Sequence, residues 1–384
     1  WFHSDHLWIQ NEGTAHLPDV VDRRSFKQLL DFGGPQPREP KESRLCFKVV
    51  EGFEVQLVAS EPQVLDPVAL DWGADGKLWV AEMGDYPLGI DGRGKPGGVG
   101  RWLEDADDNG HYEKSTVFLE GLNFPTGVMA WDKGILVSAA PDIIYAEDTN
   151  GDGRADVRRV LFTGFSEGNQ QHRMNGFALG LDNWIYAANG DSGGIVKSLV
   201  TNQKVNIAGL DFRFKITGEL ETVAGQTQFG RWRDDWGNWF GNNNPNWVWH
   251  YHIPIRYLAR NEHLPVPATR RNTFSSNRLF PISPRMKRPN MPHAYGRVTS
   301  ANSASPYRGG SFLEVDPSFA RSVFISEPVH NLVHREVLEP DGVSFKGRRA
   351  KGEEKLEFLA STDNWFRPTQ IKTGPDGALY VADM

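Results

Sequence analysis

Apolar positions recur along the chain in one design: an apolar strand, a turn built on Asp, Asn and Gly, then a second apolar strand. The design is clearest in PVALDWGADGKLWVAEMGD (67–85), TGVMAWDKGILVSAA (126–140), MNGFALGLDNWIYAANGD (174–191) and RDDWGNWFGNNN (233–244). It returns as TQIKTGPDGALYVADM (369–384) and, more weakly, as YRGGSFLEVDPSFARSVFISEP (307–328). Short apolar runs on either side of tight turns predict hairpins rather than helices. With Gly76, Gly134, Asn183, Gly237, Gly310 and Gly377 as markers, neighbouring copies lie 49 to 73 residues apart. Each interval has room for about four short strands, the signature of a β-propeller. Six markers predict an all-β, six-bladed propeller over 45–384, one that the end of the chain can leave incomplete. A β-sandwich is the competing architecture, but it would not repeat one hairpin at this interval.

The first 44 residues do not fit the repeat and are read as an N-terminal extension. Within it, DVVDRRSFKQLLDFGG (19–34) predicts one short amphipathic helix with Phe26, Leu29 and Leu30 inward, and GGPQPREPKESR (33–44) reads as a linker. Residues 255–306, rich in Arg, Asn, Pro and Ser, read as a long excursion across one face of the propeller. The chain begins at Trp1 and stops at GALYVADM, so a fragment of a longer protein is expected, and the missing signal segment says little about export.

Composition narrows the function classes. A net charge of −7 argues against a nucleic-acid backbone as partner. No run of 18 apolar residues is present to span a membrane. Cys46 is the only cysteine, which excludes internal disulfides and cysteine-rich zinc sites. Forty glycines and 13 tryptophans fit many tight turns between aromatic-rich strands. Neither GxSxG, GxGxxG after a strand, nor GxxxxGK[ST] occurs, so serine hydrolysis and nucleotide binding have no support. His330 and His334 stand four apart but lack the glutamate and helix of a zinc protease.

In a propeller the segment before each innermost strand faces the ligand-bearing end of the channel. GNQQHRMNG (168–176), GQTQFGRWRDD (225–235), NWFRPTQ (364–370) and EPVHNLVHR (327–335) therefore offer His172, Arg173, Asn175, Arg231, Arg367, His330 and Arg335. An imidazole among guanidiniums can take a proton from a hydroxyl and steady the resulting anion. The same residues can equally be loop polarity and inter-blade ties. Two acidic loops carry a calcium-like spacing. DTNGDGRAD places Asp148, Asn150, Asp152 and Asp156 at positions 1, 3, 5 and 9, with Arg159 where the usual glutamate would stand. DADDNGHYE places Asp105, Asp107 and Asn109 at positions 1, 3 and 5, with Glu113 at 9. Calcium loops and plain acidic turns are both compatible with these patterns.

From about residue 48 onward the chain resembles the large propeller proteins of planctomycetes and verrucomicrobia described as membrane-bound dehydrogenases. The phrases that carry the match are GFEVQLVASEP (52–62), DGKLWVAEMGDYP (75–87), LEDADDNG (103–110), EDTNGDGRAD (147–156), QHRMNGFALGLDNWIYAANGD (171–191), TQFGRWRDDWGNWFGNNN (227–244), EPVHNLVHR (327–335) and NWFRPTQIKTGPDGALYVADM (364–384). More distantly, Gly168, Asn169 and His172 ahead of an inner strand are similar to the segment of soluble quinoprotein sugar dehydrogenases that holds their catalytic histidine. The resemblance implies His172 as general base on a sugar hydroxyl or related alcohol. It implies Arg173, Asn175, Arg231, Arg367, His330 and Arg335 around pyrroloquinoline quinone, with calcium as second cofactor. It further implies a periplasmic or secreted location and a cytochrome c domain outside this chain as electron partner. A non-enzymatic propeller that binds carbohydrate or a protein is the alternative.

Overall fold

The structure is a computed structural model and describes residues 35–384 except 262, 264, 266, 267, 275 and 286–293. The helix expected over 19–34 lies outside the described residues. Five antiparallel sheets of four to six strands form the blades, with strands running outward from the channel. Blade one comprises Pro67–Trp72, Leu78–Glu82, Gly98–Glu104 and Lys114–Leu122. Blade two comprises Gly127–Trp131, Gly134–Ala139, Asp142–Glu147 and Val157–Phe165. Blade three comprises Asn175–Leu179, Ile185–Ala188, Asp211–Phe214 and Leu220–Val223, and blade four Trp232–Arg233, Trp239–Asn243, Asn246–His250 and Arg271–Asn272. Blade five runs from Asn302–Pro306 through Ser322–Glu327 and Leu332–Asp341 to Leu359–Ser361.

The count of six blades is corrected to five. The repeated turn marks a hairpin, not a sheet. The last copy, Pro368–Thr373 with Leu379–Asp383, is a sheet of two strands only. It sits between blades five and one, where Gln370 Oε1 accepts the Leu70 N–H and Thr369 Oγ1 donates to the Pro67 carbonyl. Gly310 marks no tight hairpin either. Two 3₁₀ turns, Ser311–Glu314 and Pro317–Arg321, bridge the first two strands of blade five. One further hairpin, Gly194–Ser198 with Lys204–Asn206, leaves the middle of blade three to extend the outer edge of blade two.

The N-terminal Phe47–Val49 pairs antiparallel with Leu359–Ser361, so the outer edge of blade five takes a strand from the other end of the chain. Ahead of it Pro40–Arg44 forms a single helical turn with Pro40 at its start. The core lies in layers between blades. Leu136, Phe162, Phe165, Phe212 and Phe214 fill the gap between blades two and three, and Phe240, Trp247, Val323, Ile325 and Leu332 the gap between four and five. Each buried phenylalanine contributes roughly 1.5–3 kcal/mol by leaving water. Within 255–306, Arg271–Asn272 forms the outer edge of blade four, and Arg278 bridges to Arg297.

Candidate functional site at the channel mouth

Every inner strand starts at the same end of the channel, and the links from each second to third strand return there. His172 arrives at this mouth on a 3₁₀ turn, Gln170–His172, capped by Asn169, whose side chain accepts the Gln171 N–H. The Gly-Asn ahead of the histidine thus serves as a helix cap. A second loop, Asn189–Gly194, wraps it. Ser192 Oγ donates to the His172 carbonyl, and Gly190, at φ +73°, passes so close that a Cβ there would meet the Arg173 carbonyl oxygen at 2.0 Å. Asp191 holds φ +71°, a left-handed backbone uncommon for a residue with a side chain. Its Oδ2 lies 3.6 Å from His172 Nδ1.

On the other side of the ring, Gln228 Nε2 stands 3.4 Å from His172 Nε2 and 2.9 Å from Asn244 Oδ1. An amide nitrogen only donates, so His172 Nε2 accepts and its proton sits on Nδ1, toward Asp191. The Asn244 N–H returns a bond to Gln228 Oε1 at 2.9 Å, which fixes the amide. Gln171 Nε2 donates to Tyr86 OH at 2.9 Å, and burial pushes the Tyr86 phenol up to about 12, so it stays a neutral hydroxyl. Ser300 Oγ is buried and has no hydrogen-bond partner among the described residues. Tyr86, Gln171, Gln228, Asn244 and Ser300 border a cavity of about 1750 Å³ that also reaches sideways past Phe53 and Val55. His172, with its side chain 28% exposed, is not part of that wall and touches it through Gln228.

The other residues singled out from the sequence are placed differently. Arg231 is 3% exposed, bonded to Asp211 Oδ2 at 2.7 Å and stacked 4.0 Å from the centre of the Tyr251 ring. Arg173 is buried over Phe124 and donates to the Asn123 and Glu167 carbonyls. Asn175 ties blades three and four through the Arg173 and Gln228 carbonyls and the Gly230 N–H. Arg335 lies over Phe319 between Glu353 and Asp316, inside blade five. His330 borders the cavity but is 1% exposed: Nδ1 faces Glu327 at 2.9 Å and Nε2 accepts the Gly296 N–H at 3.2 Å. Arg367 borders the cavity and donates to the Pro328 carbonyl. Asp191, Gln228 and Asn244 are the groups the sequence reading did not single out.

Both acidic loops join the third and fourth strands of their blades, at the end opposite the mouth. In 148–156, Asp148 takes the N–H groups of Asn150, Gly151 and Gly153, which hold its carboxyl below the usual range. Asp156 takes the Thr149 N–H and hydroxyl, and Asn150 and Asp152 close further turns of the loop. In 105–113, oxygens of Asp105, Asp107 and Glu113 come within 4.8 Å of one another, while Asn109 donates to Glu113. That donor set is of the hard-oxygen kind that suits calcium. From the far end of the blades it cannot polarise anything held at the mouth. The mouth does not fit pyrroloquinoline quinone either. Of the four guanidiniums expected around that polycarboxylate, Arg173, Arg231 and Arg335 are spent elsewhere and Arg367 alone borders the cavity.

A family model matches residues 39–384. The chain belongs to that family, the domain of unknown function DUF7133. No curated protein matches the chain significantly. Among solved structures, a Trichoderma reesei carbohydrate-active enzyme of family AA12 is similar at 11% identity and a TM-score of 0.52, covering 88% of this chain and 95% of that one. The holo PQQ domain of pyranose dehydrogenase from Coprinopsis cinerea is similar at 14% identity and a TM-score of 0.49, covering 91% and 96%. At 11% identity the likeness to the family AA12 enzyme shows a shared propeller fold for this DUF7133 chain.

Proposed function

We propose that the mouth binds a carbohydrate or related polyol, and that His172 takes a proton from one of its hydroxyls. One observation carries this reading: an imidazole lone pair, backed by Asp191, stands beside the part of the cavity wall made by Tyr86, Gln171, Gln228 and Asn244, all uncharged. Such a wall matches hydroxyl groups, which both donate and accept, better than it matches an anion. The ligand's O–H replaces the long contact from Gln228 to Nε2. As that bond breaks its proton passes to Nε2, and Asp191 steadies the imidazolium. Gln228 and Asn244 then have amide hydrogens to offer the alkoxide.

The test is calorimetric titration with a panel of aldoses and polyols, repeated with His172→Ala and Gln228→Ala. A ligand bound by the wild-type chain and weakened about tenfold or more in both variants is the expected result. Equal affinity in all three proteins would remove the site from the mouth. Dye reduction with added pyrroloquinoline quinone and calcium, abolished by His172→Ala, would overturn the misfit of the mouth to that quinone.

A further inference from the structure

We infer a second ligand site, on the face of the propeller opposite the mouth, shaped for one neutral pyranose ring. It lies between blades four and five, beyond the end of Trp232–Arg233 that points away from the mouth. A cavity of about 230 Å³ is present here. That is smaller than the ~300–1,000 Å³ of a drug-sized site and leaves room for a single small ring. Its floor is apolar, made by Phe240, Tyr307, Leu338 and Phe345.

Trp236 borders the cavity and is 71% exposed, although most tryptophans of the chain are wholly or partly buried. The turn that presents it is built for the purpose. Asp234 Oδ1 accepts the N–H groups of Trp236 and Asn238, and Oδ2 accepts Asn238 Nδ2 at 2.7 Å. Gly237, at φ +85°, completes the turn, and its missing side chain leaves Leu181 packed at its back.

The polar groups at the rim decide the ligand class. Arg321 borders the cavity, is exposed, and makes no hydrogen bond or ion pair among the described residues. Asp234 borders the same cavity and the charge of Arg321 is felt by Glu339, so an anionic ligand would meet carboxylates as well as a guanidinium. Asn238 uses its amide hydrogen on Asp234 and keeps its oxygen for a donor. An aromatic plane, one cationic donor and two oxygen acceptors around an apolar floor suit a ring with one C–H face and hydroxyls at its edge. The inference does not depend on the reading of the mouth.

The experiment is saturation-transfer NMR, with competition, on the chain and a panel of methyl pyranosides, with benzoate as the anionic probe. Trp236→Ala should weaken pyranoside binding about tenfold. Trp236→Phe should restore most of it, and Arg321→Ala should weaken it by a smaller factor. Every variant is made in a Gln228→Ala chain, which weakens binding at the mouth and leaves the signal of the second site. Binding that survives Trp236→Ala, tighter binding of benzoate, or no pyranoside binding by the wild-type chain would each overturn the inference.

Discussion

Replacing Asp211 separates a structural from a ligand-facing role for Arg231. The two side chains are 0% and 3% exposed and form one bond at 2.7 Å. Asp211 also accepts the N–H groups of Asn189 and Thr227 through Oδ1, and the Thr227 hydroxyl through Oδ2. One carboxylate in blade three therefore gathers the loop that carries Asp191 and the segment that leads to Gln228. Gly225 is required beside it, since a Cβ there would meet Asp211 Oδ2 at 2.1 Å. Asp211→Asn keeps the shape and can keep both backbone N–H bonds, but it leaves a guanidinium buried without its counter-charge. Breaking a buried pair this way costs about 3–5 kcal/mol.

With a urea slope of roughly 3 kcal/mol per molar, the midpoint of unfolding should fall by about 1–1.7 M. The double variant Asp211→Asn with Arg231→Met removes both charges and should recover most of that loss. Urea titration followed by tryptophan fluorescence reads both outcomes. A loss under about 1 kcal/mol in Asp211→Asn would refute the reasoning. So would an Arg231→Met chain that keeps its stability while losing polyol affinity, for Arg231 would then face a ligand.

Three further outcomes are expected. Burial pushes the His250 imidazole down to about 4, with the neighbouring His252 adding to the effect. Its native pKa lies below the unfolded value near 6.5, so the unfolded chain takes up a proton that the native one refuses as pH falls from about 6.5 to 4. Stability should drop by up to ~3 kcal/mol over that window and should drop less in His250→Gln; identical acid profiles would contradict this. His334 works in the other direction: burial lowers its pKa, but Glu357 and Glu336 outweigh that and raise it. Its contribution is present below about 6.5 and fades as pH rises through the native value, in both proteins alike. Gly190→Ala forces a Cβ into the Arg173 carbonyl and should prevent stable folding, whereas Gly151→Ala meets nothing within 4 Å and should cost only the left-handed backbone, ~1–2 kcal/mol; equal thermal shifts would be inconsistent with the described turn. Asp148→Ala should lower the melting temperature equally in calcium and in chelator, because its oxygens are held by its own loop, while Asp107→Asn should alter it only in calcium; the reverse pattern would exchange the roles of the two loops.

The hairpins were legible because a tight turn between apolar runs is a local signal, carried within about 15 residues in DNWIYAANGD and its copies. The number of blades was not. A blade exists only when its outer strands pair, and among the described residues the last hairpin pairs as two strands alone, while Gly194–Ser198 with Lys204–Asn206 joins a blade it does not follow in sequence. Pairing across such distances leaves no mark in any one window.

The same limit governs the site. His172 reaches the mouth at the end of a 3₁₀ turn, and the backbone becomes extended at Arg173, whose side chain lies over Phe124. Gln228 reaches the mouth at a bend, and Gly230, at φ +78°, turns the chain before Arg231, which enters the gap beside Asp211. Choosing charged residues near each strand start therefore picked the inter-blade ties. The groups beside His172 are amides and an aspartate whose role comes from a left-handed backbone. None carries a spacing motif. A basic residue that follows such a turn, as Arg173 and Arg231 do, is expected between blades, with a carboxylate or carbonyl as its partner.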